Sequence, residues 1–146
     1  MLDGLFVTPA LTAVTEALSS AKAEGALAVI GHAKLATALS AGRDVLPVAL
    51  SARAAKKLPR AIPDLASVAP ASLAAVVATG LATDADWEAT IRTWSRVVRD
   101  GGAIVIVDRG HRHEASRRAL CGGLTEIEQR HAGRSVITSG LVSHLE

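Results

Sequence analysis

The chain has 146 residues, a formal net charge of +2 and 49% hydrophobic residues, among them 29 alanines and only three aromatic side chains. This length and apolar content predict one globular domain with closely approaching helices and exclude a disordered chain. The scarcity of aromatic side chains argues against binding of single-stranded nucleic acid, which relies on stacking.

Cysteine count and apolar runs exclude further classes. Cys121 is the only cysteine, so no internal disulfide forms, and we expect a small buried side chain there. No apolar run approaches the length of a membrane span, and the start of the chain lacks the basic region of a signal peptide. We therefore expect a cytoplasmic protein without membrane contacts.

Helices and short apolar strands alternate along the first part of the chain. A helix is predicted over residues 9–24, with Thr8 as its N-cap, Pro9 in its first turn and Gly25 as its terminator. The next predicted elements are a strand at 26–30, a helix at 33–41, a strand at 45–50 and a helix at 52–58 capped by Ser51.

The middle of the chain begins with a proline-rich loop at 59–72, with at most a short strand at 65–68. A buried strand is predicted at 73–79, ending at Gly80. The clearest helix begins at Thr83 and Asp84, since it carries one apolar stripe formed by Trp87, Ile91, Trp94 and Val98. Asp100-Gly101-Gly102 is expected to end this helix before a strand at 103–107.

The end of the chain has a different pattern. After a charged helix at 113–120, strands at 124–130 and 135–142 are joined through Ala132-Gly133 as an antiparallel hairpin. Strands separated by helices form parallel pairs with helices on both faces. Residues 1–146 are therefore predicted to form a single α/β domain. Its sheet is doubly wound and mixed, mostly parallel with an antiparallel C-terminal hairpin.

The segment Arg96-Val-Val-Arg-Asp-Gly-Gly102 and the strand after it resemble a motif of class I S-adenosylmethionine-dependent methyltransferases. In that family, Arg-Val-Leu-Arg/Lys-Pro-Gly-Gly precedes an apolar strand, as Ala103–Asp108 does here. The preceding helix and the closing hairpin are also similar, so the resemblance covers Ala26 to Val142. It implies a Rossmann-like methyltransferase fold, with S-adenosylmethionine as the cofactor.

Most residues that hold the cofactor in this family are replaced. The family's acidic residue, apolar residue and Gly-x-Gly-x-Gly align with Val29, Ile30, Gly31, Ala33 and Leu35. The acid that binds the ribose hydroxyls aligns with Ala49, and the aspartate of Ser-Phe-Asp-x-Val-Val aligns with Ala74. Losing one charge-assisted hydrogen bond weakens binding by about tenfold to a hundredfold. The apolar replacements indicate a pocket that has been repacked.

The resemblance also gives positions for cofactor contacts. They are Gly31, His32, Ala33, Ala49, Asp64 (the remaining acid near the adenine edge) and Gly80. No catalytic residue is assigned, and no metal site is expected.

Other charged residues are candidates with simpler alternatives. His111 and His113 are candidates for a general base or metal ligands with Asp108 or Glu114, but a solvated helix start is favoured. Nine of the twelve arginines follow residue 90, including Arg117-Arg118, which are candidates for binding a phosphate or an acidic partner. A solvated arginine-rich surface is the favoured reading there.

Three functions remain open. The preferred one is a degenerate, non-catalytic methyltransferase-like domain that acts through a protein partner or homo-oligomer. The alternative is an active S-adenosylmethionine-dependent methyltransferase with an atypical pocket. The third is a module that binds a small anion through Lys34, His32 and the downstream arginines. Nucleic-acid binding is not expected.

Overall fold

The computed structural model describes residues 2–58 and 60–144, with side chains from residue 9 onward. Its strands are β1 (Leu27–Ile30), β2 (Val45–Val48), β3 (Leu73–Thr79), β4 (Val98–Arg109), β5 (Thr125–Ala132) and β6 (Ser135–Leu141). Its helices are α1 (Leu2–Ser20), α2 (Ala33–Leu39), α3 (Ala52–Ala55), α4 (Trp87–Val97) and α5 (Arg112–Cys121).

The six strands form one sheet in the order β2-β1-β3-β4-β6-β5. The pairs β1–β2, β1–β3 and β3–β4 are parallel, whereas β6 runs antiparallel to both β4 and β5. The predicted doubly wound, mostly parallel sheet with an antiparallel C-terminal hairpin is confirmed.

Alternation along the strands divides the core between the two faces of the sheet. Leu27 and Val29 pack with α1 and α2 on one face, whereas Ala28 packs with α4 and the loop that follows β2 on the other. This two-residue period is the expected geometry of a strand buried on both faces. It explains why these strands consist of almost uninterrupted apolar residues.

The boundaries of the first helix differ from the prediction. Helix α1 begins at Leu2, so Pro9 lies inside it and Thr8 is not its N-cap; the Thr8 side chain lies outside the described part. The helix ends at Ser20 because Lys22 adopts a left-handed conformation (φ 55°) and the Ala23 amide donates to the Leu18 carbonyl at 3.0 Å. Lys22, rather than Gly25, is therefore its left-handed terminator.

The helix before the Gly-Gly segment is shorter than predicted. The Asp84 carboxylate accepts a hydrogen bond from the Asp86 amide at 2.8 Å, and this local turn delays the start of α4 to Trp87. The helix ends at Val97, and Asp100-Gly101-Gly102 lies inside β4 instead of in a loop.

Residues 65–68 form a turn within the predicted loop, and the nearest extended pairing is a single bridge between Val48 and Ile62. One further prediction, that of a buried cysteine, is wrong. Cys121 is exposed, since it is the last residue of α5, on the side of the helix away from the core.

Candidate functional site

The topology brings the carboxyl ends of β1, β3 and β4 to one edge of the sheet. The chain leaves β1 to form β2 on one side and returns to form β3 on the other side of β1. The connections therefore diverge between β1 and β3, which is where open α/β sheets bind their ligands.

A cleft of about 610 Å³ lies at this edge. This volume falls within the range of roughly 300–1,000 Å³ that is typical of small-molecule sites. The cleft is lined by Ala10, His32, Lys34, Leu35, Thr79, Gly80, Thr83, Val107, Asp108, Arg109, His111 and Ser135.

The turn between β1 and α2 forms one wall of the cleft. Gly31 has a φ of +75°, and its amide donates to the Val48 carbonyl at 2.8 Å. His32 caps α2, because its Nδ1 accepts a hydrogen bond from the Leu35 amide at 3.1 Å. Burial lowers the pKa of His32, and the charge of Lys34 lowers it further. His32 is therefore a neutral imidazole at neutral pH.

Asp108, at the end of β4, is the buried charged residue of the opposite wall. It is only 4% exposed, and its Oδ1 accepts a hydrogen bond from the Ala82 amide at 3.0 Å. Its Oδ2 is buried and has no hydrogen-bond partner within the described part of the chain. Burial raises the pKa of Asp108, while the Ala82 amide and the nearby His111 and Arg118 act in the opposite direction.

The loop that follows β3 is held in place by Arg118. Its Nη1 donates to the carbonyls of Leu81 at 2.9 Å and Asp84 at 2.8 Å. Its Nε donates to Glu114 at 2.7 Å, and its guanidinium lies 5.5 Å from the centroid of the Trp87 ring. Arg118 thus joins α5, the loop after β3 and the start of α4.

Glu114 is occupied by the two adjacent arginines. It accepts hydrogen bonds from Arg117 at 2.6 and 2.9 Å and from Arg118, and these lower its pKa to about 2. Arg117-Arg118, the candidate pair for a phosphate or an acidic partner, is therefore engaged within the molecule. Of the two candidate histidines, His111 lines the cleft, whereas His113 is exposed and does not line it. No three His, Cys, Asp or Glu side chains in the described ranges are arranged to hold a metal ion.

The six predicted cofactor positions do not come together at the cleft. His32 and Gly80 line it, and Gly31 shapes the turn beside it. Ala33 begins α2 without lining the cleft. Neither Ala49 nor Asp64 lines it.

Both residues outside the cleft are bound into local structure. Ala49 is exposed in a left-handed conformation (φ 57°), and its amide donates to the Ile62 carbonyl at 3.0 Å. The Asp64 carboxylate accepts from the Ala66 amide at 2.8 Å within its own turn. Neither residue is therefore arranged as a ligand-binding acid of this cleft.

Leu35 and Ala74 align with a glycine and an aspartate of the family's motifs, and the structure shows where both residues lie. Leu35 is 2% exposed and packs into the core of α1 and α2, so its side chain turns inward. Ala74 lies near the amino end of β3, where its amide donates to the Ala26 carbonyl at 2.7 Å. That is the edge of the sheet opposite the cleft. The inference that Ala74 replaces a ligand-binding aspartate is therefore wrong.

Sequence reasoning missed several residues of the cleft. Thr79 and Arg109 are the last residues of β3 and β4, so the rule that ligands bind at carboxyl ends of strands could have identified them. Ala10 and Ser135 come from distant parts of the chain, and no local pattern marks them.

The chain has a methyltransferase-like fold. No family model and no curated protein matches it, but solved structures of class I S-adenosylmethionine-dependent methyltransferases do. The complex of the Haloferax volcanii methyltransferase activator Trm112 with a protein described as a methyltransferase contains one match. Its TM-score is 0.72 at 12% identity, covering 90% of this chain and 89% of that one.

Two further matches are to longer proteins. An O-methyltransferase family protein from Burkholderia thailandensis has a TM-score of 0.70 at 15% identity, covering 97% of this chain and 57% of that protein. The T. thermophilus 16S rRNA methyltransferase, solved with AdoMet and guanosine, has a TM-score of 0.61 at 16% identity, covering 82% and 35%. At these identities the likeness shows the fold alone. No helix in the described ranges is long and apolar enough to cross a membrane.

Proposed function

We propose that this chain is a methyltransferase-like domain that has lost S-adenosylmethionine-dependent catalysis and acts through a protein partner or self-assembly. The observation that carries the proposal is Ala49, directly after β2, where the family resemblance places the ribose-binding acid. Ala49 offers no acceptor, and Asp64 is committed to its own turn. The residues present therefore do not fit the cofactor in the family's manner.

Calorimetric titration of the chain with S-adenosylmethionine and S-adenosylhomocysteine tests this proposal. We expect no heat of binding at millimolar ligand, whereas micromolar binding would contradict the loss of the cofactor site.

The alternative function, an active methyltransferase with an atypical pocket, is favoured by one observation. The cleft of about 610 Å³ remains open beside the Gly31 turn, at the edge of the sheet where a cofactor would lie. Methyl transfer depends strongly on alignment of the two reactants, so it does not need a conspicuous catalytic residue. Micromolar binding in the same titration would select this alternative.

The protein partner is supported by one relative. The Haloferax relative is found in a complex with an activator protein. In this chain β5 is one of the two edge strands, and Glu126, Glu128 and the positive φ of Glu126 (49°) disfavour direct pairing of two copies through the β5 edge. We therefore favour a different protein over self-assembly. Light scattering over a range of concentrations tests this choice, since a concentration-dependent mass would show self-assembly.

A further inference from the structure

The arginines in the second half of the chain differ in whether they have a partner. Four of the nine arginines after residue 90 donate to carbonyls or pair with glutamates of the molecule: Arg96, Arg117, Arg118 and Arg130. Arg109, Arg112 and Arg134 are exposed, and their guanidinium groups make no hydrogen bond or ion pair within the described part of the chain. We call these three residues the basic patch.

The fold brings the basic patch together at one end of the sheet. Arg109 is the last residue of β4, and it lies opposite Ser135, which directly follows Arg134. The amide of Gly110 donates to the Arg134 carbonyl at 3.1 Å, and Arg112 is the first residue of α5. Residues from β4, α5 and the turn of the hairpin therefore place three positive charges side by side.

No exposed acid within residues 9–58 and 60–144 pairs with the basic patch. Asp108 precedes Arg109, but it is 4% exposed and its Oδ1 accepts from the Ala82 amide, so its carboxylate is turned into the fold. Glu114, in the first turn of α5, accepts hydrogen bonds from two arginines outside the patch. Like charges repel each other, so a partner that brings negative charge to this surface is bound favourably.

The make-up of the basic patch favours a protein over a nucleic acid. A nucleic-acid interface combines many phosphate contacts with aromatic stacking, whereas the patch has three guanidinium groups and both tryptophans lie on α4. A guanidinium group recognises a carboxylate through two parallel hydrogen bonds. We propose that the basic patch binds an acidic segment of a partner protein, in which several aspartates or glutamates are close together. This inference rests on the proposed function, because it names the chemistry of the protein partner.

Titration of the full chain with hexaglutamate, blocked at both ends, tests the inference. An uncharged hexapeptide of alternating glycine and serine is the control peptide. We expect submillimolar binding of hexaglutamate and no binding of the control peptide. The affinity should fall several-fold between about 0.01 and 0.15 M salt, because the Debye length shortens from about 30 to 8 Å over this range.

Two triple variants with the same net charge separate the patch from the overall charge of the chain. The patch variant combines Arg109→Gln, Arg112→Gln and Arg134→Gln. We expect it to bind hexaglutamate about tenfold more weakly or worse, as the loss of three exposed ion pairs implies. The matched control replaces three exposed arginines outside the patch and should bind within about twofold of the unmodified chain. It combines Arg53→Gln, Arg92→Gln and Arg99→Gln.

Amide chemical shifts of the unmodified chain give a second readout that does not depend on the folding of a variant. Hexaglutamate must shift the amides of the three patch residues more than those of the three control arginines, and equal shifts would contradict the assignment. No binding at millimolar hexaglutamate, or equal losses in the two triple variants, would also overturn the proposal.

Two outcomes would identify a different occupant and so overturn the choice of an acidic protein. Tighter binding of hexauridylate than of hexaglutamate, lost in the patch variant, would indicate a nucleic acid. A concentration-dependent mass in light scattering, lost in the patch variant, would indicate a second copy of this chain. Micromolar binding of S-adenosylmethionine would contradict the proposed function without changing the peptide titration, so the two failures are distinguishable.

Discussion

Replacing Gly102 by alanine tests what the Gly-Gly segment does in this chain. A Cβ added at Gly102 would lie 2.5 Å from Val98 Cγ1 and 2.6 Å from the Ala74 carbonyl oxygen. Ordinary contacts begin at 3.4 Å, so the clash with that oxygen is 0.8 Å deep (3.4 − 2.6). Because the oxygen belongs to the backbone of β3, relief requires the two strands to separate.

Overpacking a buried site in this way costs about 1–3 kcal/mol, and we expect a value near the upper end because no flexible side chain can yield to the Ala74 oxygen. For a domain of this size the melting temperature should fall by roughly 3–10 °C. Urea denaturation provides the measurement, since a lower midpoint at unchanged slope reports a loss of stability in the native structure.

Two other glycines serve as matched controls. Gly101 has a φ of +80° and no atom within 4 Å of a built Cβ, so Gly101→Ala is expected to cost about 1–2 kcal/mol through backbone strain alone. Gly42 has neither a positive φ nor a neighbour, so Gly42→Ala should be neutral or stabilise by about 0.4–1 kcal/mol. A Gly102→Ala midpoint equal to that of Gly42→Ala would refute the packing argument.

Three further predictions concern residues of α5. Arg118→Met removes the donors to the Leu81 and Asp84 carbonyls, so amide hydrogen exchange at residues 81–84 should accelerate. Unchanged exchange would contradict the inference that Arg118 holds this loop in place. The folded-state pKa of Glu114, about 2, lies below its ordinary 4.5. Its stabilising effect is therefore present above pH 4.5 and lost as the pH falls towards 2, and Glu114→Gln should show a weaker acid dependence of its urea midpoint. Cys121 is exposed, so one thiol should react with Ellman's reagent in the native protein, whereas a thiol that reacts only after denaturation would show it to be buried.

The architecture was predictable because its signals are local. Strands β1 and β3 are buried on both faces, so they read as short apolar runs, and the hairpin follows from two strands joined at Gly133. Helix ends were less predictable. Lys22 adopts a left-handed conformation, which is uncommon for residues other than glycine and so could not be predicted from the sequence. Asp84 forms a turn where a helix start was expected.

The site was less predictable than the fold. The strand-end rule marked the correct edge of the sheet, and His32 and Gly80 were assigned to it. The role of Ala74 was misjudged because the family alignment was followed, although the strand-end rule places the second residue of a strand at 73–79 at the opposite edge. The burial of Asp108 involves a hydrogen bond from the Ala82 amide to Oδ1, and Ala82 lies 26 residues earlier, so no local pattern could indicate it.

The hydrogen bonds around the loop after β3 make the cleft mechanically asymmetric. On that side, Gly80 is tied to β4 at 3.0 Å, Ala82 to Asp108, and Leu81 to α5 through Arg118. On the facing side, the Gly31 turn and the His32 cap are hydrogen-bonded, but the described side chains of α1 and α2 contact each other and the sheet mainly through apolar packing, which is non-directional and allows small sliding movements. The side formed by the loop after β3 is therefore rigid, and the side formed by α1 and α2 moves more easily. Changes in cleft width fall to α1 and α2, so substitutions in their shared core can retune what the cleft admits while leaving Asp108 and Arg109 in place.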